Sequence, residues 1–301
     1  MYVAFPEIQV GEPVRHKSLS VFPLFTSLES PVEYLVSDEA IGNGSVTVKE
    51  VSEGGSVPNL LVENKGDIRI LFIEGEQLIG AKQNRVLNTS VLIAAKSRVK
   101  IPVSCVEQGR WDYTSRHFDS STHHSPPKLR AVLKKSVTDS LREGGSHQSD
   151  QEKVWITVSR YPIPLDSETG ALSDVFDDNK EQVAEFQDKV KYVDGASGMA
   201  VAIGKKIVAV DLFDKPSTCG KVWDRLISGY VLDALEEQAD QGQAEATDVE
   251  RLLGTATGLP WEKAEPVGEG EEYRAQQGEE VHALALTFGT SSVHFSVVVA
   301  G

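Results

Sequence analysis

The chain has 301 residues, 40% hydrophobic and 25% charged, which is ordinary globular usage and enough for one large domain or two closely packed halves. Its 45 acidic residues outnumber 30 basic ones, and a formal net charge of -15 repels phosphate backbones and anionic membrane surfaces, so neither nucleic acid nor a membrane is an expected partner. No basic stretch followed by an apolar one opens the sequence, and no apolar run approaches the roughly 20 residues that span a bilayer; the expectation is a soluble cytoplasmic protein.

The first third reads as β. "SLSVFPLF", "VEYLVSDEAI", "SVTVKEV", "NLLVEN", "IRILFIEGEQ", "SVLIAAKS" and "KIPVSCVEQ" are short, rich in Val, Ile, Leu and Phe, and set apart by Gly, Pro, Asn and Ser. Their spacing favours an antiparallel sheet or sandwich, with "VENKGDIR" as a hairpin turn about Lys65 and Gly66. After the polar "DYTSRHFDSSTHHS", the stretch "PPKLRAVLKKSVTDSLREGG" carries Leu129, Val132, Leu133, Val137 and Leu141 at helical spacing, with Ser125 as cap and Gly144 or Gly145 as terminator.

The remainder mixes helices and strands. "SDVFDDNKEQVAEFQDKV" reads as one helix capped by Ser173, and "GMAVAIGKKIVAVDLF" as two strands about a Gly204–Lys205 turn. "STCGKVWDRLISGYVLDALEEQ" is the strongest helical pattern, with Val222, Trp223, Leu226, Ile227, Tyr230, Val231 and Leu235 as its apolar stripe. "EEVHALALTFGTSSVHFSVVV" closes as a hairpin turning at Gly289 to Ser292. The fold class expected is α+β: a β-rich half over residues 1–125 and a helix-containing half over 126–301, packed as one compact unit.

Chemistry concentrates in two stretches. In "LFIEGEQLIGAKQNR" an extended strand would put Glu74 and Glu76 on one face, with Gln83, Asn84 and Arg85 following; in "CVEQGRW" come Cys105, Glu107, Gln108, Arg110 and Trp111. If the two stretches converge, Glu74, Glu76 and Glu107 are the acid–base candidates, provided burial or a like charge raises a pKa. Arg85 and Arg110 would hold an anion, Gln83 and Asn84 would orient it, Trp111 would stack on a flat or sugar face, and Cys105 would line the same pocket. The competing reading is a satisfied structural network at strand ends.

Other motifs carry less. His117, His123 and His124 near Cys105 or Glu107 lack a metal-binding frame, and no metal is expected; in a Ser-rich loop they read as solvated. Cys105 and Cys219 are better read as two reduced thiols than as one bridge, and Cys105 as a small core residue rather than a nucleophile. Neither a nucleophile elbow at Ser197, nor a phosphate loop, nor a dinucleotide fingerprint is present. Trp155 and Trp223 read as core, and "EEQADQGQAEATDVE" as a solvated helix end and loop. Cofactor and oligomeric state are left open.

Through "EGEQLIGAKQNR" (Glu74 to Arg85) and "IPVSCVEQGRW" (Ile101 to Trp111), the chain resembles a family of proteins associated with ADP-ribosylglycohydrolases and rhodanese-phosphatases, from about Phe5 onward. The resemblance implies a role near ADP-ribose, NAD or phosphorylated-nucleoside metabolism and brings no catalytic residues with it. The functional expectation is a protein that binds or processes a ribose- or phosphate-containing small metabolite; the alternative is a noncatalytic interaction or scaffold protein.

Overall fold

Residues 5–27, 30–236 and 242–300 are described by the computed structural model of the chain. The elements up to the middle are β1 (Ile8–Val10), β2 (Val14–His16), β3 (Leu19–Thr26), β4 (Tyr34–Val36), α1 (Ser37–Gly42), β5 (Val46–Glu50), β6 (Asn59–Asn64), β7 (Arg69–Phe72), β8 (Glu76–Gly80), β9 (Arg85–Leu87), β10 (Val91–Ile93), β11 (Arg98–Cys105) and β12 (Phe118–His124). There follow α2 (Pro127–Arg142), α3 (Gln151–Val158), α4 (Leu172–Asp178), α5 (Lys180–Lys189), β13 (Gly198–Ile203), β14 (Lys206–Phe213), α6 (Pro216–Glu236), α7 (Ala246–Thr257), β15 (Glu262–Ala264), β16 (Glu271–Gln277), β17 (Val281–Phe288) and β18 (Ser291–Val299). The fold is α+β, as composition and pattern indicate.

Alternation closes the N-terminal strands on themselves. Val46 and Val48, Leu60 and Val62, Ile101 and Val103 occupy every second position, and all are buried together with Leu78, Leu87 and Phe118. Strands β11, β6, β5, β12, β8 and β9 pair antiparallel in that order, and β9 returns to β11. Of the two expected arrangements, antiparallel sheet or sandwich, the strands take the first and close it into a barrel; closure leaves no free edge. Beside it β10, β7 and β4 form a small sheet, with β4 parallel to β7.

Three local expectations fail here. "VEYLVSDEAI" is only briefly a strand and then turns into α1. Lys65 and Gly66 do not close a hairpin, because β6 stays in the barrel while β7 leaves for the small sheet; Gly66 N–H donates instead to the Asn64 side chain at 2.9 Å. "IRILFIEGEQ" is two strands in two sheets, divided by a turn in which Glu76 N–H donates to the Ile73 carbonyl at 3.1 Å. Gly75 stands there at φ 87, and a Cβ would meet His124 Cε1 at 2.4 Å.

A nine-stranded sheet carries the second half. Its order is β1-β3-β13-β14-β18-β17-β16-β15, with β2 also on β3, so residues before 125 contribute strands to both the barrel and this sheet. Both expected hairpins form, β13–β14 through Gly204 at φ 59 and β17–β18 through Gly289 at φ 61. One face is covered by the core holding Val201, Met199, Leu133, Phe176, Trp223 and Leu226; the other buries Ala200, Ala202, Phe22 and Phe295 with Val249 and Leu253 of α7. Trp155 is only partly buried, unlike Trp223.

Helix ends also depart from the sequence reading. Pro126, not Ser125, is the N-cap of α2, and the helix begins at Pro127, whose missing N–H has no partner to lose. Ser173 lies inside α4, and "SDVFDDNKEQVAEFQDKV" breaks into α4 and α5 at Asn179. The end of "STCGKVWDRLISGYVLDALEEQ" and part of the acidic run that follows fall outside the described residues.

Candidate functional site

The second part of the first motif meets the second motif through strand pairing. Arg85 on β9 is opposite Cys105 on β11 and Leu78 on β8, so the three side chains share a face, and Leu78 shows that this face is the barrel interior. Just outside, Arg110 donates from Nε and Nη2 to the two oxygens of Glu107 at 2.8 and 2.6 Å, and from Nη1 to the carbonyls of Ala81 at 2.7 Å and Asp112 at 2.9 Å. Asn84 N–H donates to Glu107 at 2.8 Å, and the Gln83 amide donates to the Glu107 carbonyl at 2.7 Å. Gly109 comes so close to Thr169 that a Cβ would stand 2.8 Å from its Cα, which seats this loop on the 164–170 segment.

Those contacts redistribute the expected roles. Arg110 is engaged within the chain, and Gln83 and Asn84 brace the loop instead of presenting free amides. Burial works to raise the Glu107 pKa, but Arg110 and the Asn84 amide outweigh it and hold it below the usual carboxylate range, so Glu107 is an ionised brace. Burial pushes the Cys105 thiol up to about 11 against the pull of Arg85, and the thiol donates to Gln83 Oε1 at 3.0 Å. Cys105 is thus a protonated lining residue.

Arg85 is different. Its Nη1 donates to the Gln83 carbonyl and to Gln83 Oε1, both at 3.1 Å, while Nε and Nη2 have no hydrogen-bond partner among the described residues. The side chain is wholly buried, and the nearest opposite charge, Glu50 at the end of β5, lies 3.7 Å away. Trp111 covers the guanidinium at 5.5 Å and Lys82 sits 5.3 Å from the same ring and 5.0 Å from Tyr113. A surface cleft of about 650 Å³ is lined by Lys49, Glu50, Ser52, Glu53 and Tyr113 to Arg116, and so shares Glu50 and Tyr113 with this group.

Glu74 and Glu76 do not join the mouth; the Gly75 turn sends each to another helix. Glu74 accepts from Arg130 at 3.1 Å and from Lys134, both on α2, and Arg130 also donates to Asp211 at 2.6 and 2.8 Å and to Ser296 at 2.8 Å. Tyr230 donates to Asp211 at 2.5 Å, and His294 lies 3.2 Å from it. Every one of these side chains is nine-tenths or more buried. Burial would lift Glu74, yet Lys134 and Arg130 overrule it and hold the carboxyl at about 2. Glu76 accepts from Arg225 at 2.8 Å and Ser37 at 2.6 Å, and burial outweighs both and raises its pKa. Of the three acid–base candidates, only Glu76 meets the condition of a raised pKa, and its charge partner is Arg225 of α6.

The histidines part company as well. His123 and His124 belong to β12, not to a loop: His123 stacks on Phe176, and burial lowers buried His124 to about 3. Among the described residues no group of three His, Cys, Asp or Glu side chains is arranged to hold a metal ion. Cys105 and Cys219 are both free and buried. Sequence reasoning missed Glu50, Lys82 and Tyr113 at the mouth, and Arg130, Lys134 and Asp211 at the centre. Glu50 is the third inward position of "VTVKE" after Val46 and Val48, and Asp211 the one acid in "KIVAVDLF"; both break a pattern that is otherwise apolar.

Together these define an α+β protein whose barrel mouth holds an incompletely paired arginine and carboxylate under an indole. The chain belongs to the ARG and Rhodanese-Phosphatase-superfamily-associated Protein domain family, whose model matches residues 7–298. Neither the curated proteins nor the solved structures yield a match.

Proposed function

We propose that the barrel mouth binds a small metabolite carrying a ribose or phosphate group. The observation that supports this reading is the buried Arg85 guanidinium, whose Nε and Nη2 have no acceptor among the described residues. A buried guanidinium with hydrogen bonds left unmade is costly, and its free edge is a planar fork that suits phosphate or carboxylate oxygens. Lys82 supplies a second cation, and Trp111, 42% exposed, supplies a ring for a sugar or base. Arg110 supports the loop from behind rather than holding the anion. The reading is one of binding: Arg110 holds the Glu107 carboxylate beside the mouth in its ionised form.

The link to ADP-ribose or NAD metabolism, through association with ADP-ribosylglycohydrolases, belongs to the same proposal, as does a cytoplasmic setting. Among the described residues no helix is long and apolar enough to cross a membrane. Calorimetric titration with ADP-ribose, NAD and ribose 5-phosphate is expected to give heat that Arg85→Gln abolishes. Absence of heat with all three removes the proposal. The scaffold reading draws support from Glu107, Arg110, Gln83 and Asn84, which engage one another; it predicts that Arg85→Gln alters melting alone.

A further inference from the structure

We infer that Glu50 makes the barrel mouth a reader of vicinal hydroxyls, so that its ligand is a phosphorylated sugar with a free diol and not phosphate alone; this rests on the reading of Arg85 just given. Glu50 takes the third inward place on β5, so its carboxylate ends the apolar column of Val46 and Val48 and turns to the mouth. Its side chain is 4% exposed, and both oxygens lack a hydrogen-bond partner among the described residues. Arg85 Nη2, at 3.7 Å from Oε1, is too far to serve as one. Gly55, at φ 77, brings the following loop over the carboxylate, where a Cβ would lie 3.4 Å from Oε2 and 3.0 Å from the Trp111 ring. The cleft of about 650 Å³ has Glu50 in its wall.

Four orphaned atoms therefore lie side by side, the donor nitrogens Nε and Nη2 of Arg85 and the two acceptor oxygens of Glu50, with Nη2 3.7 Å from Oε1. An isolated phosphate satisfies the first pair and is repelled by the second. A neutral sugar satisfies the second and leaves the guanidinium edge bare. Two neighbouring hydroxyls can donate to the two Glu50 oxygens while an attached phosphate accepts from Arg85 and faces Lys82, which completes all four. Such a ligand brings the donors and the charge in the arrangement that the mouth lacks.

The test compares ribose 5-phosphate, 2-deoxyribose 5-phosphate and inorganic phosphate by calorimetry on the whole chain and on Glu50→Gln, with thermal melting to verify folding. A hydrogen bond to a charged group sets the scale, so the wild type is expected to prefer ribose 5-phosphate over its deoxy analogue by about 10- to 100-fold. Glu50→Gln is expected to bring that ratio close to one and to tighten inorganic phosphate. Equal wild-type affinity for the two sugars, or a ratio that Glu50→Gln leaves unchanged, overturns the diol assignment, while binding that Arg85→Gln abolishes keeps the anion reading. A folded wild type that binds none of the three probes overturns the diol assignment, and titration with ADP-ribose and NAD then decides the anion reading. Should Glu50→Gln fail to fold, the wild-type ratio decides alone.

Discussion

Arg130 and Arg85 are both wholly buried, yet their surroundings are finished differently. Arg130 has carboxylates on two sides, Glu74 and Asp211, and further contacts to Tyr230 and Ser296, so α2, α6, β14 and β18 are tied through one guanidinium. Arg85 has one neutral neighbour, a carboxylate beyond hydrogen-bonding reach, and an aromatic cover. Buried charge alone does not single out a binding site; the two guanidinium nitrogens left without acceptors on Arg85 are what support the proposal made for the mouth.

The largest effect is expected at the centre. Arg130→Met leaves Glu74 and Asp211 short of their shared partner and should destabilise the fold by about 3–5 kcal/mol, seen as a lower urea midpoint. A loss no greater than that of Arg85→Met would break the contrast. Next in size is acid. Glu74, held at about 2 when folded against about 4.3 unfolded, contributes stability that is complete above pH 4.3 and is lost as pH falls toward 2, on the order of 3 kcal/mol. Melting curves from pH 6 to pH 2 should slope less for Glu74→Gln than for the wild type.

At the mouth, Arg85→Gln should move stability by no more than about 1 kcal/mol, because it removes a poorly paired charge, while removing the binding of ribose 5-phosphate. Trp111→Ala is expected to lower that affinity by a factor of about five, from the loss of ring contact, with melting shifted by less than a degree or two. The smallest signal is chemical. Cys105, a buried thiol raised to about 11, should resist alkylation by iodoacetamide at pH 7.5 in the folded protein and react on unfolding.

What sequence disclosed and what it hid have physical reasons. The long apolar stripe of α6 and the β13–β14 and β17–β18 turns were legible, since each depends on periodicity and a local glycine. Convergence of Arg85 with Cys105, Glu107 and Arg110 was legible as a possibility of spacing, and the β9–β11 register realises it. The separation of Glu74 from Glu76 was not, because strand alternation assumes a continuous strand and Gly75 breaks it at φ 87. Arg130 and Lys134 were hidden for another reason. Two cations four apart on a helix look like a solvated face until Asp211, on a distant strand, supplies the countercharge.

The order of the large sheet bears on how the molecule is made. β14, "KIVAVDLF", gains its second neighbour only from β18, with α6, α7 and three further strands intervening in the chain. While that stretch is still on the ribosome, an apolar strand has one flank open to any passing polypeptide, and Asp211 on it has no His294 or Ser296 nearby. The topology thus makes one pairing of the central strand wait on the last strand of the chain, a contact of high sequence separation that closes slowly.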